Sequence, residues 1–444
     1  MAAYPTIGDK KRKTKRSSDL LSPYVKLSRK TAQFATFPEG DGEYGNDNYK
    51  VYVKEQNMKY NENFRKLSDS YVFAGINARK ATAKEKWGDK LIDLGVGDVK
   101  LSLFPVVAEE MKKALDEMTT PSGFKGYSPS SGYDFLKEAI AKDYSDKGVT
   151  VRKSEIYVND GAKDELYNIF GLLNPNSRII VPTPCYPAVA EANLLLGNEV
   201  IYVDSDEDFI PYPPFGTAAD AVYLCSPSNP SGTALDYKTL SLWVNYAISA
   251  NAVIVFDGAY SDFLSDGYPD SIFRIPNAKR CSIEVRSFSK GYGFTGLRLG
   301  YSVIPEELSE AGKFKKRKSG CTDNGVSFIT QRGGLSCLSD EGRREMKKRV
   351  KYYKDNAEIL RQALKSKGLK YATGDDSPYV YARCPEGFSD ESFCGLLSDK
   401  LGIIATPGKG FNQQKGDYFR LSAFSHRKTI FEASDRLSDF NWLK

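Results

Sequence analysis

The sequence predicts an α/β protein: a large domain built on a mostly parallel seven-stranded sheet flanked by helices, with a smaller α+β domain beside it. Three observations lead there. From Glu155 onward apolar runs recur, "EIYVND", "SRIIVPTP", "EVIYVDS", "AVYLCSPSNPSG", "NAVIVFDGAY", "CSIEVRSFS" and "LRLGYSVI", with helical segments between several of them. Several of these runs are apolar without alternation, the pattern of strands covered on both faces. Beyond about Gly333 the rhythm changes to long charged helices, "EGRREMKKRVKYYKDNAEILRQALKSKG", followed by shorter strands such as "PYVYAR" and "YFRLSAFS".

Residues 1–57 read as an N-terminal arm, extended or disordered. "GDKKRKTKR" is a dense basic run, and the stretch after it is rich in Lys, Ser, Gly and Asp without a sustained period, as in a solvated tail. Residues 58–104 open the folded chain. There "NENFRKLSDSYVFAGINARK" is amphipathic and "KLIDLGVGD" is a short apolar strand ending in glycines, a part expected to complete the smaller domain. Residues 105–332 are expected to form the large domain. After Pro105, "VVAEEMKKALDEM" spaces its apolar residues as a surface helix, and the Gly- and Ser-rich loop "GFKGYSPSSG" feeds a second amphipathic helix. The strand, loop and helix units follow, and residues 333–444 supply the rest of the smaller domain.

Composition narrows the function. The 444-residue chain is 27% charged and 41% hydrophobic, ordinary for a globular protein and enough for two cooperating domains. Its formal charge of +6 is small for this length, so nucleic acid is not an expected partner. The seven cysteines are scattered and odd in number, which points to a reducing, cytoplasmic setting rather than a disulfide framework or a structural zinc site. No stretch approaches about 18 consecutive apolar residues, so no membrane span is expected. The single histidine, His426, has no acidic partner or serine elbow around it in "AFSHRK". Proton transfer therefore falls to lysine, tyrosine, a carboxylate or a cofactor.

Ligands of a parallel sheet collect beyond the carboxyl ends of its strands. The polar residues that follow the apolar runs are Asp160 to Lys163, Tyr186, Asn229, Asp257, Tyr260, Ser287, Ser289 and Lys290. Singly, each is an ordinary surface, cap or turn residue. Together they offer an amine, a carboxylate, phenols, an amide and a glycine opening a helix, which suits pyridoxal 5'-phosphate. Lys290 can condense with the cofactor aldehyde and later shuttle a proton. Asp257 can pair with the ring nitrogen, Asn229 and Tyr260 can bond the ring oxygen, and Tyr186 can stack on the ring. The N–H groups of Ala162 and Lys163, with Ser287 and Arg298, can hold the phosphate.

"SFSKGYGFTGLRLG" resembles the lysine segment of fold type I aminotransferases, and specifically the LL-diaminopimelate aminotransferase family. So do "NENFRKLSDSYVF", "LGVGD", "GYSPSSG", "NDGAKDELYNIFG", "PTPCYPAV", "LCSPSNPSGTA", "VFDGAYSDFLSD", "SIFRIPNA", "NGVSFITQ", "TPGKGF" and "YFRLSAF", in unbroken order over roughly residues 58 to 440. The resemblance implies the fold type I pyridoxal phosphate-dependent transferase fold, with Lys290 as the cofactor-bearing lysine. It implies Arg420 as the clamp for the substrate α-carboxylate, shared with Asn229. Tyr71, Gly97, Lys163 and Asn324 match substrate positions, and Tyr127 matches a phosphate contact made from the neighbouring subunit. A homodimer with sites at the subunit interface is thus implied. The implied reaction exchanges an amino group between LL-2,6-diaminopimelate and 2-oxoglutarate. In the synthetic direction it runs from L-glutamate to tetrahydrodipicolinate, in lysine biosynthesis.

Two positions depart from the family pattern. Ser130 stands where an acidic residue usually meets the distal ammonium of the substrate, and serine supplies a hydrogen bond but no charge. Tyr133 stands where a small residue is usual. A related aminotransferase acting on another long or aromatic amino acid is therefore the alternative. A decarboxylase or lyase would share Lys290 and Asp257, but the dedicated carboxylate arginine favours transamination.

Overall fold

The computed structural model describes residues 59–67, 72–413 and 416–441. The arm assigned to residues 1–57, and Tyr71, lie outside the described residues.

The strands are β1 (Ile92–Asp93), β2 (Ile156–Asn159), β3 (Arg178–Thr183), β4 (Glu199–Asp204), β5 (Ala221–Cys225), β6 (Val253–Asp257), β7 (Ser282–Ser287) and β8 (Gly300–Val303), then β9 (Tyr379–Arg383), β10 (Ile403–Ile404), β11 (Thr406–Pro407) and β12 (Tyr418–Ser422). The helices are α1 (Val72–Trp87), α2 (Pro105–Met118), α3 (Asp134–Asp146), α4 (Ala162–Phe170), α5 (Pro187–Leu195) and α6 (Tyr237–Ala250), then α7 (Ser309–Thr322), α8 (Phe328–Cys337), α9 (Asp340–Ser366), α10 (Asp390–Leu396) and α11 (Arg427–Asp439).

A seven-stranded sheet in the order β2-β8-β7-β6-β5-β3-β4 forms the centre, as the apolar runs predict. Strands β3 to β7 run parallel to their neighbours among themselves, and β8 is antiparallel to both β2 and β7. The strand sequences explain the layering. Ile179, Ile180, Val222, Ile254 and Val255 are fully buried, so both faces of the central strands are covered. Trp243 and Leu240 of α6 pack on one face, while Leu166 and Phe170 of α4 pack on the other.

A second apolar cluster joins distant segments. Ile92 and Leu94 are buried with Leu360, Leu397, Ile403 and Leu421, beside the antiparallel strands β11-β12-β9 and the β1–β10 pair. The 27-residue α9 carries Leu360 and Leu364 into this cluster. Ser339 starts α9 by accepting the Gly342 N–H, and acidic Asp340 and Glu341 complement its N-terminal dipole. No helix among the described residues is long and apolar enough to cross a membrane.

Candidate active site

Strand pairing gathers the site. Strand β8 lies between β2 and β7 and pairs Gly300 with both Asn159 and Ser287, so the start of α4 and the residues just before β8 meet at one sheet edge. On the other side of β7, β6 places Asp257 opposite Val285 and β5 places Cys225 opposite Asp257. A cavity of about 250 Å³ opens there. It brings together Gly97, Ala162, Lys163, Tyr186, Asn229, Asp257, Tyr260, Ser287, Lys290, Arg298 and Arg420 from the sequence-predicted set.

At one end the cavity is shaped for an anion. Gly161 has φ +110, a conformation L side chains rarely adopt, and a Cβ there would sit 2.4 Å from Arg298 Nη2. Asn159 Oδ1 accepts the Gly161 N–H at 3.1 Å, which fixes the turn and leaves the N–H groups opening α4 beside the Arg298 guanidinium. Arg298 itself has φ 57, and such a strained non-glycine conformation costs of order 1–3 kcal/mol. Its Nη1 donates to Thr295 O at 3.3 Å, and its Nη2 lies 3.5 Å from Asp164 Oδ2.

In the middle stands a buried carboxylate. Asp257 is 4% exposed, accepts the Tyr223 hydroxyl at 2.9 Å and accepts the Ala259 N–H at 3.0 Å. Burial pushes its carboxyl up from the usual range, only partly offset by those two neutral donors. No cation among the described residues forms an ion pair with it.

At the other end Arg420, 1% exposed, is held like a wedge between β11 and β9, opposite Thr406 and Tyr381. Its Nη1 donates to Asn229 Oδ1 and its Nη2 to Gly95 O, each at 2.7 Å. The guanidinium stacks 4.2 Å over Tyr379 and 4.6 Å over Phe411. Its Nε has no hydrogen-bond partner among the described residues.

Lys290 lies between these groups, donating to the Gly97 carbonyl. Burial lowers its pKa from 10.5 to about 8, with Asp98 opposing and the Arg420 and Arg298 cations assisting. A substantial neutral fraction near pH 8 is what a nucleophilic, proton-shuttling amine requires.

The donor set fits pyridoxal 5'-phosphate. The α4 N-terminus and Arg298 suit a phosphate dianion, and the uncompensated Asp257 suits a cationic ring nitrogen. Tyr260 and Asn229 suit the ring oxygen, and Lys290 suits the aldehyde.

Not every expected residue lines the cavity. Tyr127 is 87% exposed, Asn324 is exposed and Ser130 is half-buried, on two loops that abut where Gly325 lies against the Pro129 carbonyl. Tyr133 stacks on Phe135 at 5.3 Å and meets Phe328 edge-on, and its N–H bonds Gln331 Oε1. Conversely, Tyr379 and Tyr223 belong to the site although no sequence pattern marks them. The Tyr379 hydroxyl meets that of Tyr260 at 2.7 Å, and a Cβ on Gly97 would come within 2.0 Å of it. Both tyrosines sit inside apolar strands, where tyrosine reads as core. The only signal for them is the cost of burying a phenol without a partner.

The architecture and this site define the class as the fold type I pyridoxal phosphate-dependent transferases. Residues 89–437 match the family described as aminotransferase class I and II, and the chain belongs to that family. It is 38% identical over 401 residues to the LL-diaminopimelate aminotransferase of Agathobacter rectalis, covering 86% of this chain and 99% of the relative. Among solved structures it resembles L,L-diaminopimelate aminotransferase from Chlamydomonas reinhardtii, with TM-score 0.81, 32% identity, and coverage of 87% of this chain and 99% of that one. Substrate-bound BacF from Bacillus subtilis aligns with TM-score 0.77 and 26% identity, covering 87% of this chain and 100% of that one.

Proposed function

We propose that the chain catalyses pyridoxal 5'-phosphate-dependent exchange of an amino group between LL-2,6-diaminopimelate and 2-oxoglutarate, from L-glutamate to tetrahydrodipicolinate in the synthetic direction. The observation that carries this reading is one cavity holding both the Lys290 amine and the buried Arg420–Asn229 pair. Relatives of that activity at 38% identity over 86% of the chain support the substrate.

When bound, the cofactor supplies an aldehyde that takes up the amino group and a ring that accepts the electron pair of the α-carbon. The protein does the rest. Arg420 holds the α-carboxylate that donor and acceptor both present, with the Asn229 amide orienting its fork. Lys290 Nζ, its pKa lowered to about 8 by burial, would carry the proton between the substrate α-carbon and the carbon that bears the cofactor's aldehyde, in opposite directions for donor and acceptor. Asp257 would pair with the ring nitrogen, and Tyr260, its hydroxyl held against that of Tyr379, would donate to the ring oxygen. These charges stand in place before substrate arrives, so little reorganisation accompanies the reaction.

Tyr127, Ser130 and Asn324 are read as completing the site of a second subunit, which their place outside this chain's own cavity supports. In this reading the enzyme is a homodimer. Mixing a Lys290→Ala subunit with a Tyr127→Phe subunit tests it, since a hybrid dimer regains one intact site and a monomer regains none. The substrate is tested by single turnover of the cofactor-loaded enzyme with LL-diaminopimelate, meso-diaminopimelate, glutamate and an aromatic amino acid, with Lys290→Ala as control. Conversion by LL-diaminopimelate and glutamate alone is expected. Conversion by glutamate and an aromatic donor, without LL-diaminopimelate, would support the second reading, which the uncharged Ser130, in the loop that leads to the clustered Tyr133, Phe135 and Phe328 rings, favours.

A further inference from the structure

A second polar cavity, of about 200 Å³, adjoins the lysine turn, and Ser287 lines both it and the active-site cavity. Phe288 and Tyr292, on either side of Lys290, also line it. Its charged lining comes from four places in the fold: Asp143 and Lys147 at the end of α3, Asp262 after β6, Arg286 on β7, and Arg343 and Lys347 on the first turns of α9. None of these six side chains has a role in the proposed reaction.

The charges do not balance within the protein. Lys147 and Arg343 share the one carboxylate of Asp143, the first at 2.8 Å, which leaves that group with a positive surplus. Lys347 makes no ion pair among the described residues. Arg286 is 6% exposed and its Nε lies 3.1 Å from Glu284 Oε1. That carboxylate is already crowded: it also accepts the Tyr144 and Ser271 hydroxyls and the Ile272 N–H. The Nη1 of Arg286 has no hydrogen-bond partner among the described residues. A buried guanidinium N–H without an acceptor is rare, because it forgoes its hydration for nothing. Asp262 is the one opposing carboxylate in the lining not already held by Lys147 and Arg343, and its carboxyl lies against Gly291. With Glu284 counted, four cations meet three carboxylates, and Lys347 and one guanidinium donor stay without an acceptor among the described residues, which calls for a further group of negative charge.

We propose that this cavity is a binding site for a small oxyanion, a phosphate or carboxylate group, anchored by Arg286 and flanked by Lys147, Arg343 and Lys347. A planar guanidinium presents parallel donors that match either group, and the flanking ammonium groups add charge without demanding a fixed geometry. The site is separate from the phosphate subsite at α4, which belongs to the cofactor.

The test uses cofactor-loaded enzyme, so that the α4 subsite is filled. Inorganic phosphate and acetate are titrated separately at ionic strength held constant with chloride, with binding followed by calorimetry. Saturable binding of at least one probe is expected, weakened at least tenfold in both Arg286→Gln and Lys347→Glu. Lys347 lines this cavity and not the active site, so sensitivity to it separates the site from acetate held at Arg420. Phosphate binding with that sensitivity identifies a phosphate site, and acetate binding with it a carboxylate site. Absence of saturable binding of both probes, or binding unaffected by Lys347→Glu, overturns the proposal. Should Arg286→Gln fail to fold, the exposed Lys347→Glu decides alone.

Discussion

Replacing Asp257 by asparagine separates two consequences of one buried charge. Asparagine keeps the shape and can accept from Ala259 N–H while the Tyr223 hydroxyl rotates to accept from its amide. Only the charge is lost. A unit charge facing an opposite one at a generic ion-pair separation of about 4 Å, at an effective dielectric near 20, is worth about 4 kcal/mol, and that is the interaction Asp257 would offer a cationic ring nitrogen. Since about 1.4 kcal/mol is a factor of ten, kcat/KM is expected to fall about 10³-fold. In the protein freed of cofactor the sign reverses. Burial raises the Asp257 carboxyl, so the folded state holds its proton to higher pH than the unfolded chain does. Wild-type stability therefore falls as pH rises from the unfolded carboxylate value of about 3.9 through the raised folded value. Asparagine carries no such penalty. The cofactor-free variant should melt above wild type at pH 7, with the gap closing near pH 4. Calorimetric melting of both proteins with and without cofactor, beside steady-state kinetics, reads every term. A cofactor-free variant that melts no higher than wild type, together with an unchanged kcat/KM, would refute the reading of Asp257 as a buried anion awaiting a cation.

Four further expectations rest on single contacts. Arg420→Lys keeps the charge but loses the fork; with each charge-assisted bond worth about 1.5–3 kcal/mol, kcat/KM should fall at least about 10²-fold for amino donor and 2-oxo acid alike. A loss confined to one half-reaction would contradict a shared carboxylate clamp. The rate at which cofactor-free protein recaptures pyridoxal 5'-phosphate should rise with pH around a midpoint near 8, as the buried Lys290 amine loses its proton. A midpoint near 10.5, the ordinary lysine value, would show that burial does not act on it. Gly97→Ala drives a methyl group into the Tyr379 hydroxyl and should cost about tenfold or more in activity by displacing the Tyr379–Tyr260 pair; equal activity would show that this pair does not position the site. Lys315→Met strands Glu165, which is 0% exposed and bonded to Lys315 at 2.6 Å and to the Ser302 hydroxyl. Denaturant unfolding should show a loss of about 3–5 kcal/mol, largely recovered when Glu165→Gln is added.

The sheet is legible in the sequence because its strands are apolar throughout, and "NAVIVFDGAY" by itself puts Asp257 at a strand end. The order of those strands is not legible. The insertion of antiparallel β8 between β2 and β7 depends on crossovers that no local pattern encodes, yet it is this insertion that brings Arg298 to the start of α4. Arg420 is identified through resemblance alone, since an arginine inside "YFRLSAF" looks like an exposed strand residue until β9 and β11 close over it. Tyr223 and Tyr379 stay hidden for the opposite reason: in a run of apolar residues a tyrosine needs no special explanation. Tyr127, Ser130 and Asn324 likewise rest on resemblance, and a single chain gives them no part in its own cavity.

The site costs the protein stability in several places at once, and the costs share one remedy. Arg298 holds an unfavourable backbone conformation, Asp257 is buried without a cation, and Arg420 keeps an unpaired Nε in the interior. Each is a free-energy penalty in the empty protein, and each is of the kind that a phosphate, a ring nitrogen or a carboxylate offsets on binding. A ligand that binds only the folded state stabilises it by mass action, so relief of these penalties appears as affinity. The groups therefore need not move when the ligands arrive. Asp257, which meets no cation among the described residues, could stabilise a positive charge without first giving up an ion pair, and Arg420, held by Asn229 and Gly95, keeps its orientation, which is the physical content of preorganisation here. A protein that paired Asp257 internally would be more stable and would lose the electrostatic reason for the cofactor ring to sit where it does.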